Sequence, residues 1–315
     1  MMRVSKHKYV IRNTTEGEFM KEKILLGLLL LAGAVSELFT NAQAQDAAGK
    51  AQEVLAQARA ALGGEKLKAL QSLSIEGNYR RTFGQGMEMS GDVTIEMIAP
   101  DKWLKTETMS LMGSMEITRL EALNGDKVWE DQQQSGGGGM VMMRRGGPNS
   151  DPKVMEDGLR ASLGRLALGL VLNTPTSYAA TYTYAGEAEA PEGKADVIDV
   201  KVPVGPALRL YLDQKTHRLL MMTHKGKRPR VITHTATDGP PSEAEVQKRL
   251  KESEAEAAKQ PDVEYQTRFS DYREVNGIYF AHKISRGIEN ETNEEVSLTK
   301  IKVNPTIKPE KFVKK

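Results

Sequence analysis

Residues 102–132, KWLKTETMSLMGSMEITRLEALNGDKVWEDQ, contain three strand-length segments separated by short breaks. The segments 102–109, 114–123 and 126–132 contain aliphatic or aromatic residues interspersed with polar ones, as strands do. A glycine lies in each break, and Asn124-Gly125 favours a tight hairpin turn. Connections this short join antiparallel neighbours. This stretch therefore predicts an antiparallel meander.

The same period-two pattern continues on both sides of the meander. It predicts further strands at about 73–78, 86–98, 178–188, 194–202, 206–213, 216–225, 230–237, 262–272, 277–286 and 294–303. Sheets of this size twist and curl rather than stay flat. The fold class that follows is mainly antiparallel β with helices (α+β). It is a single curled sheet of about 11 strands, forming a half-open β-barrel whose concave face is covered by helices.

Three helices interrupt the strand pattern. The first is expected to begin at Asp46 as N-cap. The second follows Asp151-Pro152, a pair typical of a helix start, and carries leucines every three or four residues. The third opens with a capping box at Ser242 and is charged along most of 242–259. It resembles an insertion at about 238–260.

Composition excludes several classes of site. The chain has 315 residues, no cysteine and a formal net charge of +2. The absence of cysteine excludes disulfides, zinc–thiolate and iron–sulfur sites, and cysteine nucleophiles. A charge near zero gives no electrostatic footprint for nucleic acid. No Gly-x-Ser-x-Gly motif is present, so the sequence predicts no catalytic residues, no enzyme activity and no cofactor.

The N-terminal region has the layout of a secretory signal peptide. Lysines precede the twelve-residue apolar run Ile24–Val35, and a small-x-small cleavage site ends at Ala44. The signal peptide is therefore expected at 20–44, and the polar residues 1–19 are interpreted as a mis-annotated extension. The remaining 45–315 are expected to form one periplasmic, non-lipidated domain.

At this point the sequence resembles the LolA-like superfamily, which includes the periplasmic lipoprotein carrier LolA and the proteins LolB, RseB and LppX. The matching stretches are ALGGEKL at 61–67, LSIEG at 73–77, LYLDQKT at 210–216 and FSDYREVNGI at 269–278. They are structural motifs and carry no catalytic residues. The resemblance implies an open half-barrel whose cavity holds acyl chains, and an outer-membrane lipoprotein-sorting type of function. The proline usual after the last of these hairpins is absent, since the chain reads Tyr279-Phe280-Ala281-His282.

A glycine- and methionine-rich stretch at 135–147, SGGGGMVMMRRGG, joins the first meander to the second helix. With that helix it is interpreted as a flap at about 135–172, since methionine suits adaptable apolar surfaces. The ligand-binding residues predicted for the cavity and flap are Met87, Met89, Met97, Met140, Val141, Met142, Met143, Leu159, Leu163 and Leu166. Arg144 and Arg145 are assigned to an anionic lipid head group. The predicted partner is a lipid or lipoprotein acyl chain, bound by a monomer.

Two alternative functions stay open on sequence alone. The charged helix at 242–259 would suit an RseB-like envelope sensor or a protein-interaction module. Met109, Met112 and Met115 form an M-x-x-M-x-x-M pattern, and thioethers suit Cu(I), so a periplasmic copper-binding protein is the other alternative. His224 and His234, without an obvious carboxylate neighbour, are interpreted as solvent-facing strand residues.

Overall fold

The computed structural model describes residues 10–11, 32–83, 87–111, 115–135, 151–190, 193–228, 248, 252, 255–256, 259–289 and 291–314. The helices are α1 (Ala32–Leu62), α2 (Glu65–Lys68) and α3 (Pro152–Val171), with 3-10 turns at Thr176–Tyr178 and Pro309–Phe312. The strands are β1 (Val10–Ile11), β2 (Ser72–Phe83), β3 (Met87–Ile98), β4 (Lys102–Leu111), β5 (Met115–Asn124), β6 (Lys127–Ser135), β7 (Thr181–Ala190), β8 (Gly193–Lys201), β9 (Leu208–Asp213), β10 (Leu219–Gly226), β11 (Val263–Val275), β12 (Ile278–Ile288) and β13 (Glu291–Val303).

These strands form one antiparallel sheet in the order β1-β7-β8-β9-β10-β11-β12-β13-β2-β3-β4-β5-β6. β1 is a two-residue segment at one edge, so the sheet consists of twelve longer strands and this addition. β13 pairs with β2, which joins the late meander to the first one. Within the described residues the edges β1 and β6 do not pair with each other, so the sheet stays open. The predicted fold class is confirmed, including the meander of residues 102–132.

The sheet curls round α3. The Arg160 guanidinium donates to the carbonyl of Asp126, in the turn between β5 and β6. At the next helix position, Ala161 lies against Gly205, in the connection between β8 and β9. A Cβ added at Gly205 would come within 3.0 Å of the Ala161 methyl group. Eight inter-strand steps separate β9 from β5, which would span about 38 Å in a flat sheet at roughly 4.8 Å per step. Because a helix is only about 10–12 Å wide, the two halves of the sheet must curve towards each other.

α1 begins earlier than its sequence signals suggest. It starts at Ala32, so Asp46 lies inside the helix and the prediction of an N-cap there is wrong. The reason is local: residues 32–45 contain alanine, leucine, glutamine and glutamate and no proline, so nothing ends the helix before Asp46. Its buried face consists of Ala51, Val54, Leu55, Ala58 and Leu62. Gly63 follows at φ +145, and an added Cβ would lie 2.7 Å from the carbonyl of Gly277, so this close approach requires glycine.

α3 begins as predicted. The Asp151 side chain accepts a hydrogen bond of 2.9 Å from the backbone N–H of Lys153, and Pro152 occupies the first turn. The helix ends at Leu172, which adopts a left-handed conformation with φ 49 and donates its N–H to the carbonyl of Leu168. Its buried residues are Leu159, Ala161, Leu163, Gly164, Ala167, Leu168, Leu170 and Val171.

The main core lies between the two long helices and the face of the sheet that they cover, which we call the inner face. It joins residues from α1 and α3 with residues from strands in both halves of the sheet, all on this one face. A second cluster lies on the other face of β7–β10, around Val197, Tyr211 and Met221. A third lies on the other face of β4–β6, where Leu104 and Ala122 pack on Phe312. The C-terminal segment therefore lies across the outside of the first meander.

Two predicted elements fall mostly outside the described residues: the strand at 230–237 and the charged helix at 242–259. Of that helix, the positions at 248, 252, 255, 256 and 259 are helical and exposed. Lys248 and Glu252 form an ion pair of 3.9 Å along it. None of the described helices is both long enough and apolar enough to cross a bilayer.

Candidate functional site

The sequence-predicted cavity residues divide into three groups in the structure. Met97, Leu159, Leu163 and Leu166 belong to or pack on the main core, between the inner face and α3. Met89 is half-buried and lies opposite Arg81 across the β2–β3 pair, so it adjoins charged groups. Met87 forms the first pair of β3, but its side chain lies outside the described residues, as do Met140, Val141, Met142, Met143, Arg144 and Arg145.

The apolar part of the inner face is occupied by the protein itself. Leu55 of α1 and Leu163 and Leu168 of α3 are each 0% exposed. On the sheet side they meet residues such as Leu73 and Phe280, which are also 0% exposed. Any acyl chain that reached this surface would therefore have to replace helix contacts. α3 joins the two meanders and contacts β5, β6 and β12.

Two glycines allow α3 to lie close to aromatic rings. A Cβ added at Gly164 would come within 2.2 Å of the Tyr178 ring, and one added at Gly169 within 2.7 Å of the Phe269 ring. The Tyr178 hydroxyl donates to the carbonyl of Val204 at 3.2 Å. The helix is thus shaped to fit between β11 and the segment that leads into β7.

Polar contacts fix the C-terminal end of α3. The Arg59 Nε of α1 donates to the carbonyl of Leu172 at 2.9 Å. The Asp101 carboxylate, in the turn between β3 and β4, accepts hydrogen bonds of 2.5 and 2.7 Å from the backbone N–H and the hydroxyl of Thr176. This end of the helix is therefore tied to both α1 and the first meander.

Beyond the helices, the inner face carries a chain of charged side chains that we call the inner-face ladder. Its members are Arg286, Glu294, Arg81, Glu107, Lys105, Glu121, Arg119 and Glu130. Arg81 shares the parity of the buried Leu73 and Ile75 on β2, which places it on the inner face. The ladder alternates in sign along its length, with four cations and four carboxylates.

The first half of the inner-face ladder crosses β12, β13, β2 and β4. Arg286 Nη1 lies 2.7 Å from Glu294 Oε1, and Arg81 Nε lies 3.1 Å from Glu294 Oε2. Arg81 Nη2 then reaches Glu107 at 3.3 Å. The reach across β3 is open because Gly91 has no side chain, and the Tyr79 ring lies there beneath the Arg81 guanidinium, 5.0 Å from it.

The second half runs from β4 to β6. Lys105 Nζ lies 2.5 Å from Glu107 Oε1 and 3.8 Å from Glu121 Oε2. Arg119 Nη2 contacts Glu121 Oε1 at 2.9 Å and Glu130 Oε2 at 3.2 Å. The three inner carboxylates are almost fully covered, with Glu107, Glu121 and Glu294 only 6%, 5% and 8% exposed.

The electrostatics of the inner-face ladder keep Glu107 and Glu294 ionised. Burial opposes ionisation of Glu107, but Lys105 and Arg81 outweigh burial and lower its pKa to about 2. The pKa of Glu294 is lowered in the same way, with burial opposed by Arg286 and Arg81. Burial also raises the pKa of the Tyr79 phenol to about 12, so this group stays neutral.

Two buried polar atoms next to the ladder have no hydrogen-bond partner among the described residues: the Tyr79 hydroxyl oxygen and Glu121 Oε2. Buried groups of this kind are normally satisfied by protein or water.

Sequence reasoning missed the ladder because charged residues on strands are usually assigned to the solvent face. The available signal was their spacing along the strand. Lys105 and Glu107 lie two residues apart between Trp103 and Met109, which places all four side chains on the same face.

The histidine interpretation is wrong for His224. Its ring is half-buried on β10 and stacks on Tyr265 with centroids 4.9 Å apart. Burial, followed by the positive charge of Arg165, lowers its pKa to about 4. In the described part of the chain, no three His, Asp or Glu side chains are arranged to hold a metal ion. Met109 lies on the inner face, whereas Met112 and the Met115 side chain are outside the described residues.

A hollow of about 420 Å³ lies beside α1, lined by Gln45, Asp46, Gly49, Lys50 and Glu53. Its lining is polar and includes none of the residues predicted to bind acyl chains. It is therefore a different place from the surface covered by α3.

Three solved structures are similar to this chain. They are a putative outer membrane lipoprotein-sorting protein domain from Vibrio parahaemolyticus (10% identity, TM-score 0.46), a DUF1329 family protein from Desulfovibrio piger (8%, 0.45) and a LolA superfamily protein from Nitrosomonas europaea (9%, 0.44). Each match covers 84% of this chain and 97% of the other. No protein-family model matches the sequence, and no curated protein matches it either.

Proposed function

We propose that the protein is a non-enzymatic periplasmic carrier that binds acyl chains of a lipid or lipoprotein between its curled sheet and α3. The observation that carries this proposal is the placement of α3. An apolar helix covers part of the inner face of an open sheet. Arg59 holds its C-terminal end and Asp101 holds the segment that follows, whereas Arg160 makes the polar contact of its first half.

The anchors suggest how the helix would move. Leu172 and Thr176 are held by Arg59 and Asp101, whereas the first half of α3 meets the sheet through its apolar face and the contact of Arg160 with Asp126. The N-terminal part of α3 would swing away from β5 and β6. The left-handed residue Leu172 marks the end about which it turns.

Energetics favour a helix that stays closed until a ligand arrives. Exposing side chains such as Leu163 and Leu168 costs about 1.5–3 kcal/mol each. An acyl chain that enters the vacated space returns about 0.8 kcal/mol for each buried methylene. Binding affinity is therefore expected to rise steeply with acyl-chain length, whereas a solvent-exposed site would show a weaker dependence on chain length.

A crosslink between α3 and the sheet tests the proposal. The chain has no cysteine, so Arg160→Cys/Asp126→Cys introduces a single reactive pair at the contact between α3 and the β5–β6 turn. A short bis-maleimide should join the pair and lock the helix. Uptake of a fluorescent fatty acid is expected to fall at least tenfold in the locked protein and to be normal in the same variant before treatment.

Arg160→Cys alone, treated with the same reagent, is the matched control and should bind like the wild type. Equal uptake by the locked and unlocked proteins would show that α3 does not gate the site. A wild-type protein that takes up no acyl chain of any length would overturn the carrier function itself.

The same proposal assigns Met140, Val141, Met142 and Met143 to the acyl-chain site as part of the flap, on composition alone. It also assigns the protein to the periplasm through cleavage of the signal peptide at 20–44. N-terminal sequencing of exported protein is expected to begin at Gln45. A mature chain that begins elsewhere, or one retained in the cytoplasm, would contradict this assignment.

A further inference from the structure

We infer that the inner-face ladder is an anion-binding site, and that it selects acyl ligands that carry a phosphate or carboxylate head group. This inference rests on the proposed carrier function and names the ligand class of its site. It replaces Arg144 and Arg145, as the expected head-group contacts, with residues of the sheet.

Relative exposure within the ladder shows which charges a ligand would meet. The side chains of Glu107, Glu121 and Glu294 are 7%, 7% and 10% exposed, and they lie beneath their partners. The side chains of Arg119 and Arg286 are 27% and 31% exposed. The formal charge of the ladder is zero, and Glu130 beside Arg119 is 20% exposed, but the two most exposed groups are the guanidinium groups of Arg119 and Arg286.

Those guanidinium groups retain donors for a ligand. Among the described contacts, Arg119 uses Nη2 for both Glu121 and Glu130, and Arg286 uses Nη1 for Glu294. The other nitrogens of these two side chains have no protein partner in the described part of the chain. A guanidinium group can bind phosphate or carboxylate through two parallel hydrogen bonds.

The carboxylates beneath hold the arginines in place before a ligand arrives. Two of the ladder's carboxylates hold Arg119, and Glu294 holds Arg286. Preorganised side chains lose less conformational freedom on binding. The Tyr79 hydroxyl, on a residue that is 3% exposed, has no hydrogen-bond partner among the described residues, and its ring lies against the Arg81 guanidinium.

Position connects this site to the acyl-chain surface. α3 contacts β5, β6 and β12, which carry Arg119, Glu130 and Arg286 respectively. Because the ladder lies on the same inner face beyond the helices, displacement of α3 would uncover apolar surface on the strands that carry these partly exposed guanidinium groups. An amphiphile could then place its chain on the apolar part of the inner face and its anionic group on the guanidinium groups.

The test compares two ligands with the same chain: dodecyl phosphate and the neutral dodecyl glycerol ether. Each is titrated into wild-type protein, Arg286→Gln and Arg119→Gln by calorimetry. Loss of one charge-assisted contact should weaken dodecyl phosphate binding about tenfold and leave dodecyl glycerol ether binding within twofold. Arg286→Gln is the milder change, because Glu294 keeps Arg81 as a partner.

Arg273→Gln is the matched control, since Arg273 is an ion-paired but 63% exposed arginine outside the ladder. It should bind both ligands like the wild type. Circular dichroism melting of each variant separates loss of an anion contact from loss of the fold, and Arg286→Lys should recover part of the phosphate affinity if the protein is folded.

The outcomes separate this inference from the proposed function. Equal binding of both ligands, unchanged in the variants, would overturn the head-group site and leave the acyl carrier intact. If neither ligand binds, both fail. Inorganic phosphate is titrated as well. If it binds as tightly as dodecyl phosphate and the arginine variants lose it, the ladder is a site for free anions and the head-group assignment is overturned, while binding of dodecyl glycerol ether decides the carrier function separately.

Discussion

At the scale of single residues, the molecule places ionisable groups where their charge state is decided by burial. His224 is held neutral on the inner face by burial and by Arg165, whereas Glu107 is held ionised by Lys105 and Arg81. Both arrangements favour the folded state near neutral pH and weaken it in acid. The two residues differ in the pH window over which the stability is lost.

His224 accounts for the loss of stability at the higher of the two pH ranges. Its pKa is about 4 in the folded protein and about 6.5 in an unfolded chain. As the pH falls from 6.5 to 4, the unfolded chain binds a proton that the folded protein does not, so the free energy of unfolding decreases. The expected loss between pH 7 and pH 5 is about 2 kcal/mol, measured by urea denaturation, and His224→Gln should remove it.

His217→Asn is the control for this measurement. It removes an imidazole from the β9–β10 turn and keeps a residue that tolerates the positive φ of 56 at this position. The control should show the same loss between pH 7 and pH 5 as the wild type. If His224→Gln showed that loss too, the acid sensitivity would have to come from other groups. Below about pH 4.5, protonation of Glu107 and Glu294 adds a separate decrease.

At the scale of elements, α3 can pack closely against aromatic rings because Gly164 and Gly169 carry no side chains. Gly164→Ala would bring a methyl group within 2.2 Å of the Tyr178 ring. The clash should outweigh the gain in helix propensity and destabilise the protein by about 1–2 kcal/mol. Gly158→Ala is the matched control, since its Cβ would meet nothing within 4 Å and alanine should stabilise the helix by up to about 1 kcal/mol.

Chemical denaturation of the two variants gives the comparison. Because Gly164→Ala loosens α3, the proposed gating also predicts faster uptake of fluorescent fatty acid in this variant than in Gly158→Ala. A Gly164→Ala protein as stable as Gly158→Ala would mean that the segment around Tyr178 adjusts freely. In that case the glycine would not determine how α3 is seated.

At the scale of the whole molecule, the sequence was sufficient for β2–β13 and for the start of α3 because each depends on local signals. Period-two alternation and Asn-Gly turns located the hairpins, and Asp151-Pro152 located the start of α3. The inner-face ladder was missed for a physical reason. Two helices cannot cover the whole inner face of a curled sheet of this width, so part of that face carries polar groups. Arg81 and Glu294 therefore face inward although their residue types predict solvent.

The pairing of distant segments also lay outside what local patterns determine. β13 pairs with β2, and the C-terminal segment crosses the outer face of β4–β6, more than 180 residues from Trp129 along the chain. Phe312 is 0% exposed there, between Leu104 and Ala122. The Trp129 indole donates to the carbonyl of Phe312 at 2.9 Å. The end of the chain therefore contributes to the stability of its first meander.

Phe312→Ala measures that contribution. Removal of a fully buried phenylalanine should lower the free energy of unfolding by about 3–5 kcal/mol, followed by urea denaturation. Loss of the segment would also expose Trp129, so the fluorescence emission should shift to longer wavelength, while Trp103, 2% exposed in the main core, keeps its blue component.

Val313→Ala is the control, because Val313 is 54% exposed and should change stability by less than about 0.5 kcal/mol. If Phe312→Ala behaved like Val313→Ala in both measurements, the segment would be a passive covering. A large loss would instead show that the outer face of the meander depends on the chain's last residues, just as its inner face depends on α3.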